Sequence, residues 1–422
     1  MYRIIFFFVF SFFLASSASA QDSAYTRSVI EKLTSNEFSG RGYVDSGHVK
    51  AAKFIAGEFE KAGLKKFSDS WFQNFKLSPT IFPAEMEVRI DKKLLIPGKD
   101  YLVDAQSASV NGSYKLIWLT KKIVSDKKKL EKFAKGNYSK CFIVVDAQDI
   151  EDKEQKELMQ QMVFNPFKAM GIVMIKDSKL TWTVSQKQFD YAVIEIPRDK
   201  MDSKAKKISL NIKAEHLYKI ESQNVIGFIP GKEQPDSFIV ISAHYDHLGK
   251  MGANTYFPGA NDNASGTSML LNFAKYFGEH PPKCSVVFIA FSGEEIGLLG
   301  SSYYVLHPAF PLKQIKIQIN IDIIGDAGDG ITVVNGKPFE KEFALLTKIN
   351  EEKKYLPNIQ KRGEAANSDH YPFYNKGVKA IFIYSRGKST AYHDINDNNK
   401  NLPLVNYKDC FQLIRDFILL EQ

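Results

Sequence analysis

A chain of 422 residues, 44% of them hydrophobic, is long enough to bury a large core and to hold two domains. Three cysteines, none in a CxxC pair, argue against a disulfide framework and against a thiolate zinc site. The formal net charge of +8 comes from dispersed lysine runs, without an aromatic-spaced basic stripe or finger spacing, so nucleic acid is not an expected partner.

Residues 1–20 read as a secretory signal peptide: Arg3 is a short basic start, residues 4–14 are apolar, and Ala18-Ser19-Ala20 is a small-residue cleavage site. The mature chain is expected to be exported, to the periplasm or beyond. The apolar run falls short of the roughly 20 residues a span needs, so no stable membrane insertion is expected. Residues 28–33 and 47–62 have helical apolar spacing, and Gly63 suits a helix end. Between them lies the loop Phe38-Ser-Gly-Arg-Gly42, whose Arg41 is expected either to face a site or to make a structural ion pair. Residues 69–76 alternate as an aromatic strand.

The texture changes near residue 95. Short apolar strands begin at Leu116, Cys141, Gly171 and Tyr191, alternating with Lys/Glu-rich helices at 127–135 and 152–167. This stretch holds no histidine and no clustered carboxylates, so 95–215 reads as an insert without chemistry of its own. Residues 21–94 and 216–422 then form the main domain. Its strands are expected at 224–229, 236–243, 285–291, 315–323, 330–334 and 379–384. Helices at 264–277, 296–306, 339–350 and 404–420 separate most of them. Strands alternating with helices predict an α/β sandwich with a parallel centre. Cys141 and Cys284 each open an apolar run and read as buried thiols; a Cys284–Cys410 pair is possible on paper but unsupported.

Four strand ends in the main domain carry acid or imidazole: His244-Tyr-Asp246, Ser292-Gly-Glu294-Glu295, Asn320-Ile-Asp322 and, just past the last strand, Tyr392-His393. Asp262 joins them from the loop after the first. Open α/β sheets build sites along one such edge. Imidazole and carboxylate without thiolate suit zinc. Two histidines and three acids exceed what one catalytic zinc takes, and fit two ions sharing a carboxylate. Of the adjacent pair Glu294 and Glu295, one can bind metal while the other works as general base. Asp246 reads as the partner that fixes the His244 tautomer. His247, His280 and His307 read as capping or hydrogen-bonding loop residues.

With those residues laid out, 225–397 closely resembles the M28 family of zinc metallopeptidases through SAHYDHLG, PGANDNASG, FSGEEIGLLGS, NIDIIG, SDHYPF and YHDINDN, in family order. Residues 95–215 more weakly resemble a protease-associated domain. The resemblance implies a three-layer α/β/α sandwich with a mixed, centrally parallel sheet plus a smaller inserted α+β domain. It implies two Zn²⁺ per chain, bridged by Asp262, with His244 and Asp322 completing one site and Glu295 and His393 the other. Glu294 would be the catalytic base and Asp246 the orienter of His244. It also implies a cis peptide after Asp262 and a substrate-side place for Asp369 and His370. One departure is Ser389, where many relatives carry histidine.

The expected activity is removal of N-terminal residues from peptide substrates. The alternatives are a single-zinc glutaminyl-peptide cyclotransferase, a carboxypeptidase (for which Arg362 and Arg386 are the only nearby cations) and an inactive binding protein. Side-chain preference and oligomeric state are not readable from the sequence.

Overall fold

The computed structural model describes residues 22–422; the segment expected as a signal peptide lies outside them. The larger sheet has eight strands: β1 (Phe72–Leu77), β2 (Ile220–Ile229), β3 (Gln234–His244), β4 (Cys284–Phe291), β5 (Ile315–Ile321), β6 (Gly330–Val334), β7 (Ile359–Lys361) and β8 (Ala380–Arg386). Their spatial order is β1-β2-β4-β3-β5-β8-β6-β7. The four central strands β4, β3, β5 and β8 run parallel. On the flanks, β1, β2 and β6 pair antiparallel with their inner neighbours.

Both faces of this sheet are covered, which is why its central strands read as continuous apolar runs rather than alternating ones. Ile239, Ile241, Val286, Phe288, Ile317 and Ile319 point into a core shared with the helices Ser23–Leu33, Gly47–Lys61, Gly266–Glu279, Glu340–Lys353 and Tyr407–Glu421. Val240, Val287 and Ile289 point the other way, against Tyr304 and Phe373 of Leu299–Leu306 and His370–Asn375. Each such side chain contributes about 1.5–3 kcal/mol by leaving water. The layers are helix, sheet, helix.

A second eight-stranded sheet is built from residues 87–212. Its order is Lys93–Leu94, Glu87–Ile90, Lys207–Ile212, Val110–Thr120, Cys141–Asp146, Gly171–Lys176, Ala192–Pro197 and Leu102–Val103. Strands from Val110–Thr120 through Ala192–Pro197 are parallel. Separate apolar clusters cover its two faces.

Several element ends differ from expectation, each for a backbone reason. The helix expected from 296 begins at Leu299, because Gly297 and Leu298 carry φ of 109° and 57°. The last helix begins at Tyr407, after Leu404 and Asn406 at φ 55° and 54°. The 152–167 helix stops at Gln161 and tightens into a short 3₁₀ turn, Met162–Phe164. Cys284 and Cys410 are buried and free, and Cys141 is free but only half-buried because it stands at the strand's first position.

Candidate metal centre

The parallel pairing brings the carboxyl ends of β3, β4, β5 and β8 to one edge, and the acid and imidazole groups come with them. His244 ends β3, Glu294 and Glu295 follow β4, Asp322 follows β5, and His393 lies in the loop after β8. Asp262 sits in an irregular turn before the Gly266–Glu279 helix, and its peptide bond to Asn263 is cis. Gly266 lets this turn approach the sheet: a Cβ there would stand 2.2 Å from Asn263 Oδ1 and 2.6 Å from the Ile321 carbonyl oxygen.

The two oxygens of Asp262 face different partners. Oδ1 lies 3.3 Å from His244 Nε2, which is itself 3.2 Å from Asp322 Oδ1. Oδ2 lies 3.1 Å from His393 Nε2, which is 3.1 Å from Glu295 Oε2. Bonds of about 2.0–2.2 Å to a tetrahedral zinc place its ligands about 3.3–3.6 Å apart. Charge-assisted hydrogen bonds between imidazolium and carboxylate are shorter, about 2.7–2.9 Å. At 3.1–3.3 Å the four spacings fall between the two ranges, longer than the charge-assisted bond and at or just short of the zinc-ligand separation, and this donor set fits a metal. Glu294 offers a carboxylate oxygen within 4.8 Å of donor atoms of His244 and Asp322.

His247 obeys the opposite rule. Its Nδ1 is 2.6 Å from Glu295 Oε1, a true hydrogen bond, and its ring is fully buried. It is a hydrogen-bonding loop residue, as expected, but its partner is the outer oxygen of Glu295, which sets it against the site. His280 and His307 do cap helix ends, through the carbonyls of Tyr276 and Tyr303.

Asp246 orients His244 by a different atom than expected. His244 Nδ1 bonds the Asp246 main-chain oxygen at 3.2 Å, whereas the carboxylate is 3.8 Å away. That carboxylate instead accepts from the Glu294 N–H and the Tyr43 hydroxyl, both at 3.3 Å. Asp246 thus ties the β3 end to the β4 end.

Asp369 and His370 are both fully buried and are not part of the cavity wall. They stand at the start of the His370–Asn375 helix, and the substrate-side place expected for them is not on this cavity's lining. Burial raises Asp369 to about 7, countered partly by His244, and lowers His370 to about 4. Within the same SDH motif it is Ser368 that reaches the centre, donating to Asp322 Oδ2 at 2.9 Å. Ser368 in turn accepts from Asn320, which accepts from Ser242, which accepts from Gln318.

Sequence reasoning also missed two supports. Arg41 is fully buried, and burial lowers it to about 10. It neither faces the cavity nor makes an ion pair. Its guanidinium donates to the carbonyls of Tyr245 (2.7 Å), Pro258 (2.6 Å) and Gly259 (2.7 Å), clamping the two chain segments that carry His244 and Asp262. Asp397 accepts from the Asn261 and Asp262 N–H groups at 2.8 and 3.0 Å. The YHDINDN motif held its only sequence signal.

A cavity of about 360 Å³ opens on these ligands, walled by Ile323, Arg362, Asn367, Phe382, Tyr384 and Tyr392. That is at the small end of the range of about 300–1,000 Å³ for small-molecule sites.

At the edge of this layered α/β sandwich, two histidine–carboxylate pairs therefore face the two oxygens of one aspartate. Residues 224–418 match the model of peptidase family M28. Aminopeptidase YwaD of Bacillus subtilis is 30% identical over 247 residues, 56% of this chain and 53% of that protein. A probable zinc metalloprotease of Pyrenophora teres f. teres is 32% identical over 120 residues, 28% of this chain and 26% of that protein. The chain thus spans about half the length of the first relative and about a quarter of the second. In fold it is similar to the zinc aminopeptidase BSAP from Bacillus subtilis, with a TM-score of 0.70, 20% identity and 94% of each chain covered. It is less similar to a Bacteroides thetaiotaomicron glutaminyl cyclase, at TM-score 0.52 and 14% identity over 96% of this chain and all of that one.

Proposed function

We propose that this chain is an exported di-zinc aminopeptidase. The observation that carries the reading is Asp262, whose two oxygens each face one histidine–carboxylate pair. His244, Asp262 and Asp322 would hold one ion, and Asp262, Glu295 and His393 the other. Bound there, zinc supplies a Lewis acid that polarises a carbonyl and acidifies water. Glu294 takes up a proton on its carboxylate and returns it to the leaving amine. Its environment supports that role: burial pushes its pKa well above the usual carboxylate range, with Glu295, Asp369 and Asp322 adding to the rise and His244 opposing it. The small cavity supports the binding of a terminal residue rather than of a long polypeptide.

Of the two arginines weighed for a carboxypeptidase, only Arg362 lines the cavity, and its guanidinium lies 3.4 Å from the Tyr384 hydroxyl. One arginine is thin support for that reading. Export rests on the leader-like residues 1–20; among the described residues no helix is long and apolar enough to cross a membrane. Zinc content, measured with free and N-blocked aminoacyl anilides, tests the proposal. Two zinc per chain and preference for free amines are expected. One zinc with cyclisation of N-terminal glutamine would replace it by the cyclotransferase, and equal cleavage of blocked substrates would remove the aminopeptidase assignment.

A further inference from the structure

His393 is held by a residue of the second sheet. Trp182 lies in the loop between Gly171–Lys176 and Ala192–Pro197, and its main chain bonds His393 twice. The Trp182 N–H donates to the His393 carbonyl at 2.8 Å, and His393 Nδ1 stands 2.9 Å from the Trp182 carbonyl oxygen. The carbonyl can only accept, so Nδ1 carries the proton and Nε2 is left to face Asp262 and Glu295. The arrangement also secures an uncommon backbone, since His393 has a φ of 53°.

The rest of the loop is fastened on both sides of the centre. Lys179 Nζ donates to the Thr390 carbonyl at 2.5 Å and pairs with the Asp394 carboxylate, one residue beyond His393. Gln186 donates to the carbonyl of Ile296, one residue beyond Glu295, at 3.3 Å. The Trp182 indole donates to the Val103 carbonyl in its own sheet at 2.7 Å and stacks on Phe257, with centroids 4.6 Å apart. Phe257 lies just before the Pro258-Gly259 carbonyls that Arg41 clamps.

We propose that the 179–186 loop of the second sheet is a positioning strap for one half of the metal centre: it sets the tautomer and backbone of His393 and steadies the chain beside Glu295. This rests on the di-zinc reading and extends it. A stretch without histidine or clustered acids thereby acts on the chemistry through its main chain. The asymmetry is the distinctive consequence. The strap serves His393 and Glu295, which face Asp262 Oδ2, whereas His244 and Asp322 are held by Asp246 and Ser368. Loosening it should weaken one zinc and spare the other.

The test uses the full mature chain with Lys179→Ala, Lys179→Arg and Trp182→Ala, each titrated with zinc against a competing chelator, with thermal unfolding followed alongside. Partners of metal ligands typically change affinity by about 10–100-fold. Wild type is expected to hold two zinc. Lys179→Ala, whose side chain is largely at the surface, should keep its fold, lose affinity for one zinc by about tenfold and leave the other unchanged. Lys179→Arg should restore most of the loss. In Lys179→Ala the Nδ1 proton of His393, followed by NMR, should exchange with water faster than in wild type, a change that a loss of general stability at a remote surface site would not produce. Trp182→Ala should show the larger metal effect if it folds, and the lysine variants decide the question if it does not. A wild-type chain with two zinc and a folded Lys179→Ala with unaltered binding and proton exchange would overturn the strap alone. A wild-type chain that binds no zinc would overturn the centre itself, and the strap with it.

Discussion

Glu294 and Glu295 are adjacent in sequence and titrate in opposite directions. Burial pushes both upward, but Glu295 stands against His393 and His247, which bring it down to about 2, whereas Glu294 remains raised. A pair of acids driven apart in this way separates the group that holds a cation from the group that carries a proton. Glu294→Gln should keep its zinc and lose turnover by about 10²–10⁴-fold. Glu295→Gln should lose zinc first. Metal analysis beside anilide hydrolysis reads both, and a Glu294→Gln enzyme of full activity would end the assignment.

Zinc uptake should expel protons. In the metal-free chain burial favours neutral imidazoles, but the neighbouring carboxylates overcome it, raising His393 to about 11 and His244 well above its usual value. His393 is therefore protonated at pH 8 and His244 is biased the same way, and ligation requires both neutral. At least one proton per chain should be released on full loading. Calorimetry in buffers of different ionisation enthalpy measures the number, and release near zero would contradict the charged pairs.

Arg41→Met should be strongly destabilising. It strips the Tyr245 and Pro258 carbonyls of the guanidinium donor, while the Gly259 carbonyl keeps the Ala264 N–H. Each orphaned buried group costs about 1–3 kcal/mol, so a loss of about 2 kcal/mol or more is expected in urea unfolding. Arg41→Lys should recover little, because one ammonium cannot span the guanidinium's fork.

Ser368→Ala removes the donor to Asp322 Oδ2 and leaves the Asn320 amide without its acceptor. A fall of about tenfold in zinc affinity is expected, confined to the His244 side. Equal weakening of both ions would show that Ser368 supports the sheet generally rather than Asp322.

The metal-free chain should lose stability as pH rises from about 4 to 7 through Asp369. Its folded pKa of about 7 lies above the model-peptide value of 3.8, so over that window the folded state binds more protons than the unfolded one. Asp369→Asn should flatten this part of the profile. The readout is the difference between the two denaturation curves across pH, and parallel curves would refute it.

The sheet and the ligand edge were legible because both rest on short-range signals. Val286 to Phe291 and Ile315 to Ile321 announce buried strands, and the first acid or imidazole after each marks its end. Support for the ligands was not legible. Arg41, Ser368 and Trp182 act through bonds to or from groups distant in sequence, and the main-chain carbonyls among those groups carry no residue identity. The partner of His247 was not legible because spacing treats it like any loop histidine, and only its 2.6 Å distance to Glu295 assigns it. The helix boundaries near 299 and 407 were missed because left-handed Leu298 and Leu404 are types that seldom declare such a backbone; Asn406, a type enriched there, was the one available cue.

Sharing Asp262 between two ligand sets has a consequence for how the enzyme is switched on. The first ion to arrive must turn the carboxylate to suit itself, and in doing so it fixes the second oxygen for its successor. Two divalent ions on one carboxylate also repel each other, so filling should be stepwise, the second ion entering at higher free zinc than the first. Under zinc limitation a population of such chains would collect as half-loaded molecules, and activity would lag behind the first equivalent of metal.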